Sequence, residues 1–380
     1  MSVFFTKYPY YMRKLIIALI MLFISILLIK IDFDNHDSIY YSNNAIKKDG
    51  FYFDTYVSFT IFDSEENYNS FINSKEDINS LLSNCIDMCE TYETIFSRTL
   101  EGSELYLLNK SIEFSPETDV ELSEDLYKCI EATLLYSKSF GNKFSILSGN
   151  LCDLWDYNKA IVPERQNIDM ALTAINSYNI SLNDNYISLK KMDAVLNNST
   201  QQATEKNIPS INLGASAKGY ITDKICTYLK SKGIKEAIID IGGNIAVIGD
   251  KYDNSMYKIG IKKPFSTEGD PIAVCKLSDK TIVTSGIYER YFTKDNHIFH
   301  HIIDCTTGYP TENDILSITI IADNSLLADC YSTGCLLIGV TDSLDFINST
   351  KDAECVIIDK DYHIILSDGL KFDDSFITFK

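Results

Sequence analysis

An acid and a hydroxyl lie four residues apart in the segment SLLADCYSTGCLLIGV, at Asp329 and Thr333. If this segment is a helix, both side chains project from the same face. The other residues are apolar or small, which predicts a buried helix, and a buried carboxylate is costly unless a positive group meets it. One carboxylate and one hydroxyl are too few for zinc, but they suit Mg²⁺, which takes further oxygens from water and phosphates. The alternative interpretation is an acid placed in the first helical turn by the helix dipole.

The segment INLGASAKGY predicts the end of an apolar strand followed by the start of a helix. Gly214 and the small residues after it would let a ligand approach the backbone. Lys218 lies at the helix start, where free N–H groups attract phosphate. The pattern is neither a Walker loop nor a GxGxxG fingerprint, and an ordinary capped helix also explains it.

Two adjacent histidines and an acid occur in the segment HHIIDCTTGYP, residues 300–310. Neighbouring residues on a strand face opposite ways, so the two histidines cannot bind one metal ion together. His301 would share a face with Ile303, and His300 would share the other with Asp304. The residues alone leave open whether this is a structural turn or part of a site. No Ser/His/Asp spacing or nucleophile motif accompanies it.

Helices must position these segments. Apolar residues at three- and four-residue spacing predict an amphipathic helix over EDINSLLSNCIDMCETYETIFS. A second helix is predicted from Ser123, as N-cap, to Gly141, and a third opens at Pro163. A fourth, which carries Lys218, ends at Gly233, and the segment with Asp329 forms the last.

Strands are predicted between these helices. One covers residues 51–63, and two apolar strands are joined around Gly242 and Gly243. Residues 196–210 are polar and loop-like, whereas AECVIIDKDYHIILSD predicts a hairpin after the last helix. Because many strands follow one another through short turns, the pattern predicts an α+β fold with a mostly antiparallel sheet.

The N-terminus predicts a membrane segment. Lys7, Arg13 and Lys14 precede a run of fifteen residues without a charge, from Leu15 to Ile29. Such a helix spans about 22 Å, between a signal-peptide core and a full membrane span. The basic flank predicts a cytoplasmic N-terminus and an exported remainder. We therefore expect an uncleaved signal-anchor over 1–31, a tether over 32–49 and one catalytic domain over 50–380; a cleaved signal peptide is the alternative.

Composition limits the possible functions. The chain has 380 residues, of which 45% are hydrophobic and 23% are charged, as in folded globular proteins. The net charge of −19 repels nucleic acid, so no nucleic-acid partner is expected. It would also repel an anionic substrate unless a cation or local lysines intervene. Ten cysteines occur without a CxxC pair, which argues against zinc, and those in predicted helices are interpreted as small buried hydrophobes.

Taken in order, several segments give the chain a resemblance to the ApbE family of FAD:protein FMN transferases. The resemblance runs from FDTYVSFTIF to the C-terminal hairpin and includes FSRTLEGSELYLLN, FSILSGNLCDLWDY, INLGASAKGYITDKI, IIDIGGNIAVIG, SGIYERYF, HHIIDCTTGYP and ADCYSTGCLLIG. It implies an ApbE-like (T-fold-like) catalytic domain. It also implies Mg²⁺-dependent transfer of FMN from FAD to a Thr or Ser hydroxyl of an acceptor protein, with release of AMP. Acceptors in that family are subunits of membrane redox complexes and extracellular electron-transfer flavoproteins, which implies a cell-membrane protein with its catalytic domain on the extracytoplasmic side.

The resemblance also implies roles for particular residues. These are Mg²⁺ ligands (Asp329, Thr333 and the backbone carbonyl of Ala215), flavin-nucleotide contacts (Asn212, Lys218 and Ile303), residues lining the FAD pocket (Phe53, Thr99 and Trp155), and a catalytic pair beside the flavin and the reacting phosphate (His301 and Asp304).

Three positions depart from the family's pattern. Asn212 stands where Asp is common, Cys305 replaces a proline, and Phe53 replaces a methionine. None of these changes removes an expected metal ligand. Two alternative functions remain: an FAD pyrophosphatase that yields FMN and AMP, and a non-catalytic flavin-binding surface protein.

Overall fold

The computed structural model describes residues 38–42, 45–62, 77–192, 208–251, 253–266, 271–371 and 377–379. The predicted membrane segment, residues 1–31, lies outside them, as does most of the predicted loop over 196–210. Within the described part of the chain, no helix combines the length and apolar character needed to cross a bilayer.

Strands supply most of the framework. They are β1 (Ser38–Ser42), β2 (Ala45–Tyr52), β3 (Thr55–Phe62), β4 (Val120–Glu121), β5 (Tyr178–Asn183), β6 (Tyr186–Lys191), β7 (Ala237–Ile241), β8 (Asn244–Ile248), β9 (Tyr257–Lys262), β10 (Pro271–Leu277), β11 (Thr281–Gly286), β12 (Tyr291–Lys294), β13 (His297–His300), β14 (Ile315–Ala322), β15 (Ala353–Asp359), β16 (Ile364–Leu366) and β17 (Ile377–Phe379).

Helices occur between the strands along most of the chain. They are α1 (Ile78–Phe96), α2 (Glu104–Phe114), α3 (Glu124–Ser137), a 3₁₀ segment (Lys138–Lys143), α4 (Gly149–Asp153), α5 (Arg165–Ser177), α6 (Ala217–Ser231), α7 (Ser325–Ile338), α8 (Val340–Ser349) and α9 (Asp368–Lys371).

A nine-stranded sheet forms the centre, in the order β1-β2-β3-β7-β8-β11-β14-β15-β16. Its neighbouring strands are all antiparallel, and the predicted α+β class is confirmed. Helices α1, α6 and α7 pack against this sheet, and α6 also packs against both α1 and α7. Inward residues of β3, such as Phe59, alternate with more exposed ones, as expected for a half-buried strand.

The opposite face of the sheet has its own apolar cluster. The antiparallel strands β9 and β10 contribute Tyr257, Ile261 and Cys275, which pack with Ile282 and Val356 of the large sheet. Both faces of β11, β14 and β15 are therefore buried, and α7 packs on β11 and β14.

The single strand predicted over 51–63 is wrong, because the chain reverses within it. β2 and β3 form a hairpin, and Phe53 and Asp54 at its tip both have a φ of 56°. The Glu93 carboxylate accepts a hydrogen bond of 2.8 Å from the Phe53 N–H, which supports this left-handed turn. Apolar alternation continues through both strands, so the sequence pattern conceals the reversal.

The boundary of the predicted tether, residues 32–49, is also wrong. Ser38–Ser42 and Ala45–Tyr52 are paired strands at the edge of the sheet, and β2 pairs with β3 along its whole length. Asp49, the last residue of the predicted tether, is buried in this arrangement. The strand-forming sequence therefore begins before residue 50.

Several predicted helix ends are confirmed and others are corrected. The Ser123 side chain caps α3 by accepting from the Leu126 N–H, as predicted. The α-helix ends at Ser137, however, and continues as a 3₁₀ segment in which Gly141 leaves the helical conformation. Helices α2, α4, α8 and α9 were not predicted; α8 follows α7 at once because Gly339 adopts a φ of 89°.

Candidate active site

Asp329 lies on α7 where that helix meets the start of α6. The side chain is buried, and its Oδ2 accepts a hydrogen bond of 3.0 Å from the Gly219 backbone N–H. Its Oδ1 lies 3.6 Å from Lys218 Nζ. Both partners belong to the first turn of α6, where N–H groups lack partners within their own helix. The carboxylate thus meets a helix N-terminus and an ammonium group, which supplies the positive partner that its burial requires.

Gly219 allows this close approach. A Cβ at this position would lie 2.7 Å from the Leu326 Cα and would also overlap the Ser325 carbonyl oxygen. Both obstacles are backbone atoms of α7, so they cannot rotate away. A glycine here is therefore required for packing, because any side chain would push α6 and α7 apart.

Thr333 lies one turn after Asp329 and is half-buried. Its Oγ1 is 3.5 Å from the Ser285 Oγ at the end of β11. Ser285 in turn lies 2.8 Å from the Ser332 Oγ, whose hydroxyl donates to the Asp329 carbonyl at 2.9 Å. This chain of hydroxyls fixes the rotamer of Ser285 beside Thr333 and leaves the Thr333 oxygen able to accept.

The donor set fits a hard cation. The Asp329 Oδ1 is farther from Lys218 than a hydrogen bond, and the Thr333 oxygen has only the long contact to Ser285. Ala215 lies in the turn that leads into α6 and is half-buried. Oxygen atoms of a carboxylate, a hydroxyl and a backbone carbonyl are the ligands that Mg²⁺ prefers.

The described residues also contain a separate group of potential metal ligands, in the turn between β15 and β16. It consists of Asp359, Asp361 and His363, and the last two are exposed. The Asp359 Oδ1 accepts from the Asp361 and His363 N–H groups, and Oδ2 pairs with the His363 ring at 3.0 Å. These contacts account for the group as a hairpin turn.

The two adjacent histidines differ in what they contact. His300 is buried, its Nε2 lies 3.0 Å from the Thr311 carbonyl, and its Nδ1 accepts from the Ile302 N–H at 3.3 Å. His301 is half-buried, and its Nδ1 is covered without a hydrogen-bond partner. His300 is therefore a satisfied structural residue, whereas His301 retains hydrogen-bonding capacity.

Burial keeps both rings neutral. It lowers the pKa of His301 to about 4, and the positive charges of Arg290 and Lys218 act in the same direction. Burial likewise lowers the pKa of His300 to about 4. The influence of Lys218 on His301 places this ring within electrostatic reach of the Lys218–Asp329 pair.

Asp304 organises the turn that follows the histidines. Its Oδ1 accepts from the Thr306 N–H at 2.8 Å and from the Thr306 hydroxyl at 2.6 Å. Its Oδ2 lies 3.2 Å from Lys143 Nζ, which also donates to the Leu337 carbonyl at the end of α7. Both carboxylate oxygens thus have partners, and this geometry favours a structural role for Asp304; the catalytic assignment stays a prediction.

Two of the predicted flavin-side residues, Trp155 and Ile303, lie in the same region. Trp155 is buried, donates from Nε1 to the Gly308 carbonyl at 3.3 Å and stacks on Phe299 at 5.8 Å. Ile303, also buried, forms a single β-bridge with Pro310 in the same turn. The structure therefore joins Trp155 and Ile303 through the segment that contains His301.

Asn212 lies on the approach to α6. Its Oδ1 accepts from the Gly214 N–H at 3.0 Å, and its Nδ2 lies 3.5 Å from the Cys152 Sγ in the Trp155 region. An amide can donate to the Cys152 sulfur and a carboxylate cannot, so the departure from the family's usual Asp changes this contact.

Phe53 and Thr99 lie near the C-terminal end of α1. Phe53 is held through its N–H by Glu93, which is in the last turn of that helix. Thr99 follows the helix and is exposed, with its hydroxyl 3.5 Å from the Ser97 Oγ. No contact described for these residues joins them to Asp329 or His301.

Sequence reasoning missed several residues that support the site. Lys143 precedes its partner Asp304 by 161 positions, and Asp223 precedes the α7 residues that it contacts by about 100 positions. No spacing rule links residues so far apart in the chain. An acid on the same predicted helix as Lys218 was the one available signal.

Two solved structures share this antiparallel α+β architecture. The solved ApbE protein of Thermotoga maritima is 26% identical, with a TM-score of 0.70 over 88% of this chain and 98% of that one. The flavin transferase ApbE from Vibrio cholerae, at 21% identity, shares the fold with a TM-score of 0.69 over 86% of this chain and 98% of its own.

The chain belongs to the ApbE family, which it matches over residues 53–357. A relative in Treponema pallidum, an FAD:protein FMN transferase, is 28% identical over 304 residues, which cover 77% of this chain and 81% of the relative. Another FAD:protein FMN transferase, from Klebsiella pneumoniae, is 27% identical over 76% of this chain and 85% of its own length. The chain is accordingly an enzyme of the transferase class.

Proposed function

We propose that this protein is a Mg²⁺-dependent FAD:protein FMN transferase that moves FMN from FAD to a Thr or Ser hydroxyl of an acceptor protein. The observation that carries the proposal is the buried Asp329 carboxylate, paired with Lys218 and the Gly219 N–H and followed one turn later by Thr333. Family membership and the activity named for the relatives support it.

The reaction exchanges one phosphorus–oxygen bond for another. The acceptor hydroxyl oxygen attacks the phosphorus on the FMN side of the FAD pyrophosphate, and the bond from that phosphorus to the bridging oxygen breaks. The bridging oxygen leaves with AMP, and the new bond is a phosphodiester. Such a transfer requires positioning and charge neutralisation more than a protein nucleophile.

Asp329, Thr333 and the Ala215 carbonyl would hold the metal ion. When bound there, Mg²⁺ supplies Lewis-acid polarisation of the pyrophosphate and compensates charge on the departing AMP. Lys218 and the positive end of the α6 dipole attract the same phosphates. This local positive charge offsets the repulsion that a net charge of −19 exerts on an anionic substrate.

His301 is the residue that takes up the proton of the acceptor hydroxyl. Its lowered pKa, about 4, leaves the ring neutral at neutral pH and able to take up a proton. The negative charge of bound FAD strengthens the ring as a base, because it stabilises the imidazolium. Asp304 keeps this segment in place through Thr306 and Lys143.

The experiment combines the domain from residue 38 onward, which keeps β1, with FAD, Mg²⁺ and a carrier protein. The carrier bears an exposed Ser-Gly-Ala-Thr segment, the type of acceptor site that the family resemblance implies. We expect an FMN-sized increase in the carrier's mass, one AMP per modified carrier, and no modification of a carrier with the Ser and Thr replaced by Ala. AMP release without an adduct would instead identify an FAD pyrophosphatase. Binding of FAD without AMP release would identify a non-catalytic flavin-binding protein.

Asp329→Asn is the decisive variant. The amide oxygen can still accept from the Gly219 N–H, so helix packing is preserved while the charge is removed. We expect transfer to fall by at least about 100-fold, the scale of losing one electrostatic contact to the transition state. The matched control, Asp342→Asn, removes an exposed acid from the first turn of α8 and should leave transfer unchanged. Full activity of Asp329→Asn would contradict the metal assignment.

We further propose that the N-terminal segment anchors the enzyme in the cell membrane with the catalytic domain on the extracytoplasmic side. The support is the uncharged run from Leu15 to Ile29 behind Lys7, Arg13 and Lys14. The acceptor is then a flavoprotein subunit of a membrane redox complex or an extracellular electron-transfer protein. Protease added to spheroplasts should digest the domain while the protein remains in the membrane fraction, and a protected domain would overturn the orientation.

A further inference from the structure

Asp223 forms a second contact between the two helices that build the site. It lies on α6, five residues after Lys218, and its side chain reaches the start of α7. Oδ1 accepts from the Ser325 N–H at 2.8 Å, and Oδ2 accepts from the Leu326 N–H at 2.9 Å. These N–H groups have no partner within α7, because they belong to its first turn.

The contact is reciprocal. Asp223 on α6 caps the N-terminus of α7, while Asp329 on α7 accepts from Gly219 in the first turn of α6. Each helix therefore supplies a carboxylate to the other's positive end. Asn324 adds a local cap by accepting from the Leu327 N–H at 2.7 Å. The Asp223 bonds are thus not the sole caps of α7; what they add is a fixed position relative to α6.

Burial makes the charged form of Asp223 energetically costly. Burial raises the pKa of Asp223 to about 6, the two backbone N–H groups oppose the rise, and the negative charge of Asp329 adds to it. An acid in such a place would destabilise the fold if it made no compensating contacts. Its two hydrogen bonds to α7 are charge-assisted and of normal length, which is the strong class.

We infer that Asp223 is a positioning residue, which sets the distance between the Asp329–Thr333 face of α7 and the turn of residues 214–216 with Lys218 on α6. This inference rests on the proposed function, because that distance matters only if the two elements bind the same metal–pyrophosphate group. The hydrogen bonds described for the Asp223 carboxylate both come from α7 backbone N–H groups, and neither involves a proposed metal ligand. Residues that hold metal ligands in this way affect metal affinity more than substrate affinity.

The test uses Asp223→Asn and Asp223→Ala, with Asp342→Asn as a matched control in another helix N-terminus. Titration calorimetry with Mg²⁺ in the presence of FAD gives the metal affinity, and flavin fluorescence without Mg²⁺ gives the FAD affinity. We expect Mg²⁺ affinity to fall about 10-fold for Asn, which keeps one acceptor oxygen, and about 100-fold for Ala. FAD affinity without metal should change less than about twofold, and Asp342→Asn should match the wild type.

A transfer assay separates this role from simple destabilisation. At saturating Mg²⁺, Asp223→Asn should recover most of the wild-type rate, whereas a partly unfolded population would lose rate at every Mg²⁺ concentration. Unchanged Mg²⁺ affinity in folded Asp223→Ala, or an equal loss of FAD affinity, would overturn the inference. A wild-type protein that binds Mg²⁺ with FAD but transfers nothing would refute the proposed function and leave the affinity comparison valid.

Discussion

Replacing Gly219 by Ala should disturb the site through one added methyl group. The new Cβ would lie 2.7 Å from the Leu326 Cα, whereas ordinary contact begins at 3.4 Å, so α6 and α7 must separate by at least 0.7 Å at this point. The 3.0 Å bond from the Gly219 N–H to Asp329 would then lengthen to about 3.7 Å, beyond hydrogen-bonding distance.

The expected cost combines three effects. Overpacking costs about 1–3 kcal/mol, and loss of a hydrogen bond to a charged group costs about 1.5–3 kcal/mol. The higher helix propensity of Ala returns about 1 kcal/mol. We therefore expect Gly219→Ala to lose about 3 kcal/mol, which lowers the Tm by about 4 °C for a domain of this size.

Thermal unfolding and a Mg²⁺ titration of FMN transfer measure both consequences. Gly219→Ala should unfold at lower temperature and need at least about 10-fold more Mg²⁺, since displaced ligands bind the ion less well. Gly369→Ala is the control, because its Cβ would meet only the flexible carboxyl end of Glu354. A Gly219→Ala protein with wild-type Tm and Mg²⁺ requirement would refute the argument that helix contact sets the site.

Three further predictions concern the neighbouring elements. Lys143→Met removes the partner of Asp304 and should slow transfer. Because the lysine is partly exposed, the stability loss in denaturant unfolding should be only about 1 kcal/mol. An unchanged transfer rate would show that the Asp304 turn does not affect catalysis. Glu93→Ala should weaken FAD binding in fluorescence titration, whereas Glu93→Gln should keep it because Gln still accepts from the Phe53 N–H. Equal FAD affinities of the two variants and the wild type would show that the hairpin tip at Phe53 is not part of the FAD pocket. Finally, burial lowers the pKa of His300 to about 4 from an ordinary 6.5, so in this pH range the unfolded chain binds a proton that the folded chain does not. His300 should therefore reduce stability by up to about 3 kcal/mol as pH drops from 6.5 to 4. His301, whose pKa is also lowered to about 4, acts in the same direction, so His300→Gln should make that part of the unfolding profile less steep without flattening it; an identical profile would contradict the prediction.

Local sequence patterns were sufficient to predict the helix that carries Asp329 and Thr333. The apolar and small residues around Asp329 predicted a buried helix, and the four-residue spacing to Thr333 predicted a shared face; the structure has that helix at Ser325–Ile338. The cost of burying a carboxylate also predicted a positive partner, which is Lys218 with the first turn of α6. These are short-range rules of periodicity and charge, so a sequence suffices to apply them.

Such short-range rules could not predict contacts between residues that are distant in the sequence. The spacing of His300 and His301 predicted that at most one would enter the site, but the choice depends on Thr311, whose carbonyl satisfies His300. The hairpin turn at Phe53 depends on Glu93, forty residues later in the chain. In both cases a partner distant in sequence decides the local conformation, and only the three-dimensional structure identifies it.

The most direct test of the account is to locate the metal. A crystal of the domain soaked with FAD and Mn²⁺, an anomalous scatterer that replaces Mg²⁺ at oxygen sites, would show the ion as a peak in the anomalous map. The account predicts a peak in coordination contact with the Asp329 carboxylate, the Thr333 hydroxyl and the FAD pyrophosphate. A peak only at the Asp359, Asp361 and His363 turn, with FAD bound elsewhere than at the α6–α7 contact, would contradict it.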